Sequence, residues 1–128
     1  MRILRQLRSL TFEEFVQDPI LVSAVERNFQ VAVQAALDIA SIILADQSVI
    51  VPREYKDLFP ALAEMGVLPG DFARRLVGMA KFRNVLVHLY LEIDYRRVYR
   101  YLQERLEDFE QFARYVSEWM ERKESQEG

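Results

Sequence analysis

Apolar residues recur along this chain at three- and four-residue spacing, and no stretch alternates with period two. The longest such stripe is Leu21, Val22, Val25, Phe29, Ala32, Val33, Ala36, Leu37, Ala40, Ile43 and Leu44, which falls on one side of a helix. Asp18-Pro19 precedes it and reads as an N-cap with proline at the first helical position, where its missing N–H costs little. The spacing therefore predicts a helix from Pro19 to about Ala45. Upstream, "TFEE" (Thr11 to Glu14) has the spacing of a capping box.

"DQSVIVPREYK" reads as a loop. Asp57 is placed to cap a short helix with Pro60 in its first turn, Gly66 ends that helix, and "VLPGD" makes the next turn. A further helix is expected from Asp71 to His88, followed by a brief break at "LYLEID". Asp94 then caps a long final helix with core positions Val98, Leu102, Leu106, Phe109, Ala113, Val116 and Met120. The last residues, "RKESQEG" (122–128), are expected to fray. There is no internal repeat. The pattern predicts an all-α fold, an up-and-down bundle of four to five helices formed by residues 1–128 as a single domain.

Composition narrows the function. The 128 residues include no cysteine, which removes disulfides, cysteine–zinc sites and thiol nucleophiles together and fits a reducing compartment. "MRILRQLRSL" is basic, but no long apolar segment follows it, so no signal peptide is expected. No run of strictly apolar residues approaches the roughly 20 that cross a bilayer, and the expected location is the cytoplasm, with no membrane partner. The formal net charge of −3 argues against coating nucleic acid by bulk charge. Yet from Asp71 to Arg105 eight bases (Arg74, Arg75, Lys81, Arg83, Arg96, Arg97, Arg100, Arg105) stand against four acids (Asp71, Glu92, Asp94, Glu104). Either a local positive patch or ordinary solvated helix faces account for that imbalance.

Within this basic region lies "RNVLVHLY", residues 83 to 90, which holds the only histidine of the chain. On a wheel advancing about 100° per residue, Phe72, Leu76, Met79, Phe82, Leu86, Val87 and Leu89 share one broad arc. Arg83 falls inside this arc, between Leu76 and Val87. Asn84 and His88 share a polar stripe with Lys81 and Arg74. An unpaired buried guanidinium costs several kcal/mol, on the order of a desolvated charge, so the site should supply a partner or a wet cavity. Three ordinary readings stand beside a functional one. Arg83 can snorkel or pair with a core carboxylate, His88 can be a hydrogen-bonded histidine near a helix end, and Tyr90 can be a packing aromatic.

A second stripe on the long helix offers partners. Arg27, Gln34, Asp38 and Ser41 line the side opposite the main apolar stripe, flanked by Val31, Ala35 and Ile42. Such a mixed face suits a contact with another subunit or simple solvation. Asp38 is a candidate to pair with Arg83 or to orient His88.

These residues carry a resemblance. "RNVLVHLY" matches the Arg-x-x-x-x-His-x-Tyr signature of HepT-like toxins. They belong to the HEPN group (higher eukaryotes and prokaryotes nucleotide-binding), small all-helical domains that often act as RNases. "QVAVQAALDIASIIL", "YKDLFPALAEMGVL" and "MAKFRNVLVHLYLEIDYRRVY" are similar to segments of that family in the same order, so the likeness runs from Phe12 to Tyr115. It implies that Arg83 and His88 are the catalytic pair of a metal-independent endoribonuclease without cofactor. Asn84 matches the polar residue that follows the arginine, and Asp38 an acidic position of the family. Tyr90 matches the tyrosine that a nucleotidyltransferase antitoxin of the MntA type modifies with AMP, silencing the toxin of a type VII toxin–antitoxin system. The family also implies a homodimer with both motifs facing one cleft.

The chemistry agrees with these residue types. RNA carries its own nucleophile in the 2′-hydroxyl. A histidine titrates near neutral pH and can take or give the proton, while an arginine can grip the phosphate and stabilise growing charge. One histidine per chain is few for a reaction that uses both acid and base, and a dimer offers two. Arg83 and His88 point about 140° apart at 100° per residue, so either the arginine reaches around Asn84 at the helix end or the pair is completed across a dimer cleft; the cleft is the favoured reading, with Tyr90 at its mouth. Two alternatives remain open at this level: a non-catalytic HEPN module that binds a nucleotide or a partner protein, and a plain helical dimerisation protein in which Arg83 closes an interface.

Overall fold

A computed structural model describes residues 1–87 and 95–127 of the chain, with side chains for residues 1–83 and 95–126. The described residues form seven α-helices and no strand: α1 (Arg2–Leu7), α2 (Phe12–Gln17), α3 (Pro19–Asp46), α4 (Leu58–Glu64), α5 (Gly70–Val87), α6 (Tyr95–Glu104) and α7 (Leu106–Glu127). A single 3-10 turn, Tyr55–Asp57, leads into α4. The all-α architecture expected from the periodicity is what the chain forms. The additions are the short N-terminal helix α1 and a break in the final helix.

Local chemistry explains most boundaries. The Thr11 hydroxyl accepts from the Glu14 amide while the Glu14 carboxylate accepts from the Thr11 amide, at 3.1 and 3.0 Å, which completes the capping box of α2. Asp18 accepts from the amides of Ile20 and Leu21 at the start of α3. Helix α4 closes on Gly66 at φ +83°. There the amides of Gly66 and Val67 return to the carbonyls of Ala63 and Leu62, the bonding of a Schellman motif. Helix α3 ends in the same way with Ser48 at φ 59°. The Ser48 amide bonds Ala45 and the Val49 amide bonds Leu44, so a serine holds the position that a glycine would mark in the sequence. Asp57 precedes α4 as expected, but its side chain makes no capping hydrogen bond.

Helix α3 spans two core clusters. Its C-terminal half (Val33, Leu37, Leu44) packs with α4, α5 and α7 through Phe59, Leu62, Leu76 and Phe112. Its N-terminal half (Val22, Val25, Phe29) packs with α1, α2, α5 and α6 through Leu4, Phe15, Phe82, Val98 and Leu102. Each large apolar side chain taken fully from water contributes about 1.5–3 kcal/mol. One expectation is corrected here. By length and composition α3 is apolar enough to cross a bilayer, although polar residues interrupt its apolar positions. Its Val25, Phe29, Val33, Leu37 and Leu44 are wholly buried against the other helices, so its hydrophobicity serves the core.

The single long final helix is also corrected. It is interrupted between Glu104 and Leu106. Val98, Leu102, Leu106 and Val116 are buried and Phe109 is partly buried, as expected, but Ala113 and Met120 are exposed, and Phe112 is buried in the same helix, with Trp119 packed against the cluster. The buried stripe continues across the interruption at 3- and 4-residue spacing through Leu106, Phe109, Phe112, Val116 and Trp119, which leaves Ala113 and Met120 at its exposed edge.

Candidate active site

Arg83 lies on the last described turns of α5, one residue after Phe82. The Phe82 ring is fully buried, meets Phe29 edge to face at 5.5 Å and lies parallel to Tyr101 at 3.9 Å. These contacts fix the rotation of α5 and place Arg83 at the edge of the core, half-buried, where α5 faces α3. The guanidinium does not snorkel free. Its Nε donates to Gln34 Oε1 at 3.2 Å, and its central carbon lies 4.3 Å from the centre of the Tyr55 ring, within cation–π range. Among the described residues no carboxylate forms an ion pair with it.

Gln34 in turn donates through Nε2 to Asp38 Oδ1 at 2.8 Å, across one turn of α3. Asp38 therefore reaches Arg83 through the amide of Gln34, and the direct Asp38–Arg83 ion pair held open by the sequence is not formed. Arg27, Gln30, Val31, Gln34, Ala35, Asp38 and Arg83 line an open groove of about 520 Å³ along α3. Its charged lining is two arginines and one aspartate. That donor set suits an anion such as a phosphate and is poor for a hard divalent cation, which wants several carboxylate or carbonyl oxygens.

The structure thus brings together two of the predicted site residues, Arg83 and Asp38. Asn84 lies within the backbone of α5, and the description does not extend to its side chain. His88 and Tyr90 lie outside the described residues, as do the expected break at "LYLEID" and the cap at Asp94. Of the second stripe on α3, Arg27, Gln34 and Asp38 line the groove with Val31 and Ala35. Tyr55 was not legible as a site residue, because it sits in a loop with no periodicity and reaches Arg83 only through the tertiary fold.

The basic region between Asp71 and Arg105 divides between structure and surface. Asp108, buried on α7, accepts from Arg75 Nε at 2.8 Å and from Arg105 at 3.4 Å. Arg96 stacks over Phe12 at 4.7 Å. Arg96, Arg97, Arg100 and Arg105 also line one open cleft of α6 with Tyr101 and Glu104.

The family model described as "Ribonuclease HepT-like" matches residues 1–116. An mRNA nuclease HepT from Shewanella oneidensis is 35% identical over 99 residues, 77% of this chain and 74% of that one. A putative RNase from Archaeoglobus fulgidus is 32% identical over 81 residues, 63% of this chain and 61% of that one. Among solved structures, a toxin–antitoxin crystal structure with AMP-PNP superimposes with TM-score 0.82 at 30% identity, covering 91% of this chain and 87% of that one. A tri-AMPylated HEPN toxin of Shewanella oneidensis in complex with an MNT antitoxin does so with TM-score 0.79 at 31% identity, covering 91% and 89%. With most of its length matched in both sequence and fold, the chain belongs to the HepT-like ribonuclease family.

Proposed function

We propose that the chain is a metal-independent endoribonuclease, the toxin of a type VII toxin–antitoxin pair acting in the cytoplasm. The observation that carries this reading is the setting of Arg83. Among the described residues its guanidinium is held by an amide and an aromatic face, both neutral, at an open groove, and we take its charge to be available to an RNA phosphate. In this reaction the 2′-hydroxyl of the RNA attacks its own phosphorus and the bond to the 5′-oxygen breaks. His88 takes the hydroxyl proton as general base, and a second histidine returns a proton to the leaving 5′-oxygen. The second histidine comes from another copy of the chain. The exposed apolar flanks of the groove on α3, Val31 at 54% and Ile42 at 66% of full exposure, support a homodimer built on this face.

Relatives known as nucleases support the RNA substrate, and the AMPylated relative bound to an MNT antitoxin supports a nucleotidyltransferase partner that modifies Tyr90. His88→Ala protein, assayed for RNA cleavage and for growth arrest on expression, tests the reading. Cleavage by the parent protein should survive EDTA and be lost in the variant. Unchanged cleavage by His88→Ala removes the catalytic role, and a protein that binds nucleotide or partner but cuts no RNA is the non-catalytic HEPN module instead.

A further inference from the structure

The Gln34 amide has two ends of opposite hydrogen-bonding character. A carboxylate accepts but cannot donate, so Asp38 engages the NH₂ end at 2.8 Å and turns the amide oxygen outward. That oxygen accepts from Arg83 Nε at 3.2 Å. With the amide reversed, NH₂ would face the guanidinium and repel it. Tyr55 closes the other side, its ring centre 4.3 Å from the guanidinium carbon. These restraints act on Nε and on the flat face of the cation. They leave both Nη groups without a partner among the described residues. A carboxylate in place of Gln34 would hold Arg83 more strongly, but it would occupy two donors and neutralise the charge.

We propose that Gln34 and Tyr55 are positioning residues of the ribonuclease site, with Asp38 acting on Arg83 only by orienting the Gln34 amide. Together they fix the guanidinium in one geometry and reserve its Nη groups and its charge for a phosphodiester. The ligand rests on the ribonuclease reading above; the relay rests on the geometry alone.

The test pairs kinetics with a readout that needs no cleavage. Gln34→Met and Tyr55→Leu should each lower kcat/KM on a short RNA about 10- to 100-fold, the scale expected when a reacting group is misplaced by about 1 Å. Tyr55→Phe, which keeps the ring, should restore most of the loss seen in Tyr55→Leu. Gln34→Met should cost nothing further in an Arg83→Ala background, and Asp38→Ala nothing further in a Gln34→Met background. A merely structural role predicts additive losses instead. By NMR, the Arg83 Nε–H proton should exchange slowly with water in the parent protein and rapidly in Gln34→Met. A parent protein that cuts no RNA but shows the Gln34-dependent slow exchange overturns the ribonuclease reading and upholds the relay. Cleavage by Gln34→Met at the parent rate, or losses that add in the Arg83→Ala background, overturns the positioning proposal.

Discussion

The rings of Phe82 and Tyr101 lie parallel, 3° apart in plane and 3.9 Å between centres. The Tyr101 hydroxyl goes on to donate to the Gly78 carbonyl at 3.0 Å. A Cβ at position 78 would stand 3.3 Å from that hydroxyl, so the glycine permits the close approach of α6 to α5. This contact holds the turn of α5 next to Arg83. Tyr101→Phe keeps the stack and loses one hydrogen bond, a cost of about 1 kcal/mol. Tyr101→Leu also loses the aromatic pair, about 0.5–1.5 kcal/mol more. Urea unfolding of the two variants should show this order.

Arg83→Lys keeps the charge and removes the geometry. An ammonium cannot engage Gln34 through one fixed donor, lie flat on Tyr55 and present a fork to phosphate at once. RNA cleavage should fall about 10²- to 10³-fold, the scale for losing a preorganised charge-stabilising donor, while thermal stability changes little. Cleavage within a few-fold of the parent would show that only the charge at this position matters.

Tyr90 is the proposed site of AMPylation. Two residues beyond His88, it would carry bulk and negative phosphate to the place where RNA phosphates bind. Incubation with the cognate nucleotidyltransferase and ATP should add AMP masses to the intact protein and abolish cleavage. Tyr90→Phe protein should gain no mass, and persistence of the adducts in that variant places the modification elsewhere.

The buried carboxylate of Asp108 links α5 to the α6–α7 junction through Arg75 and Arg105. Its side chain is only 9% exposed, whereas Arg75 is 46% exposed. Removing the acid therefore strands a cation that can still reach water. Asp108→Ala should cost about 1.5–3 kcal/mol of stability, the range for a lost hydrogen bond to a charged group, measured by denaturant unfolding. Cleavage per folded molecule should be retained.

Glu26 on α3 is partly buried, and its Oε1 finds no hydrogen-bond partner among the described residues. Burial raises its carboxyl above the usual range, because desolvation disfavours the charged form. The folded state therefore binds this proton more tightly than the unfolded chain. Stability contributed by the protonated form is present below the unfolded value of 4.5 and is lost as pH rises through the raised folded value. Glu26→Gln should be more stable than the parent at pH 7, by less than about 1 kcal/mol because much of the group is solvent-screened. The difference should shrink toward pH 4. Thermal melts across that range that run parallel would contradict it.

Periodicity and punctuation made most of the helical framework legible. The α3 stripe, the Thr11 capping box, the Asp18-Pro19 start and the Gly66 stop are local signals, and the structure uses each of them. The Schellman end of α3 escaped notice because Ser48 carries no mark of the left-handed conformation it adopts. The break at Arg105 escaped notice because the apolar spacing runs on across it. The wheel sets Arg83 inside an apolar arc of its own helix, but it cannot say that Gln34 and Tyr55 are what the guanidinium meets. Gln34 was visible only as a member of a mixed stripe, and Tyr55 not at all.

The sequence by itself determined the all-α class, the family, and the positions proposed for chemistry, since these depend on residue spacing and on a local signature. Tertiary structure decided what Arg83 touches. Gln34 lies 49 residues away on α3, and Tyr55 sits in a loop between helices. Long-range packing sets such contacts: Phe82 against Phe29 and Tyr101 turns α5 until its arginine faces a neutral amide and an aromatic ring. One-dimensional periodicity orders residues around a single helix axis and carries no information about which face of another helix will meet them.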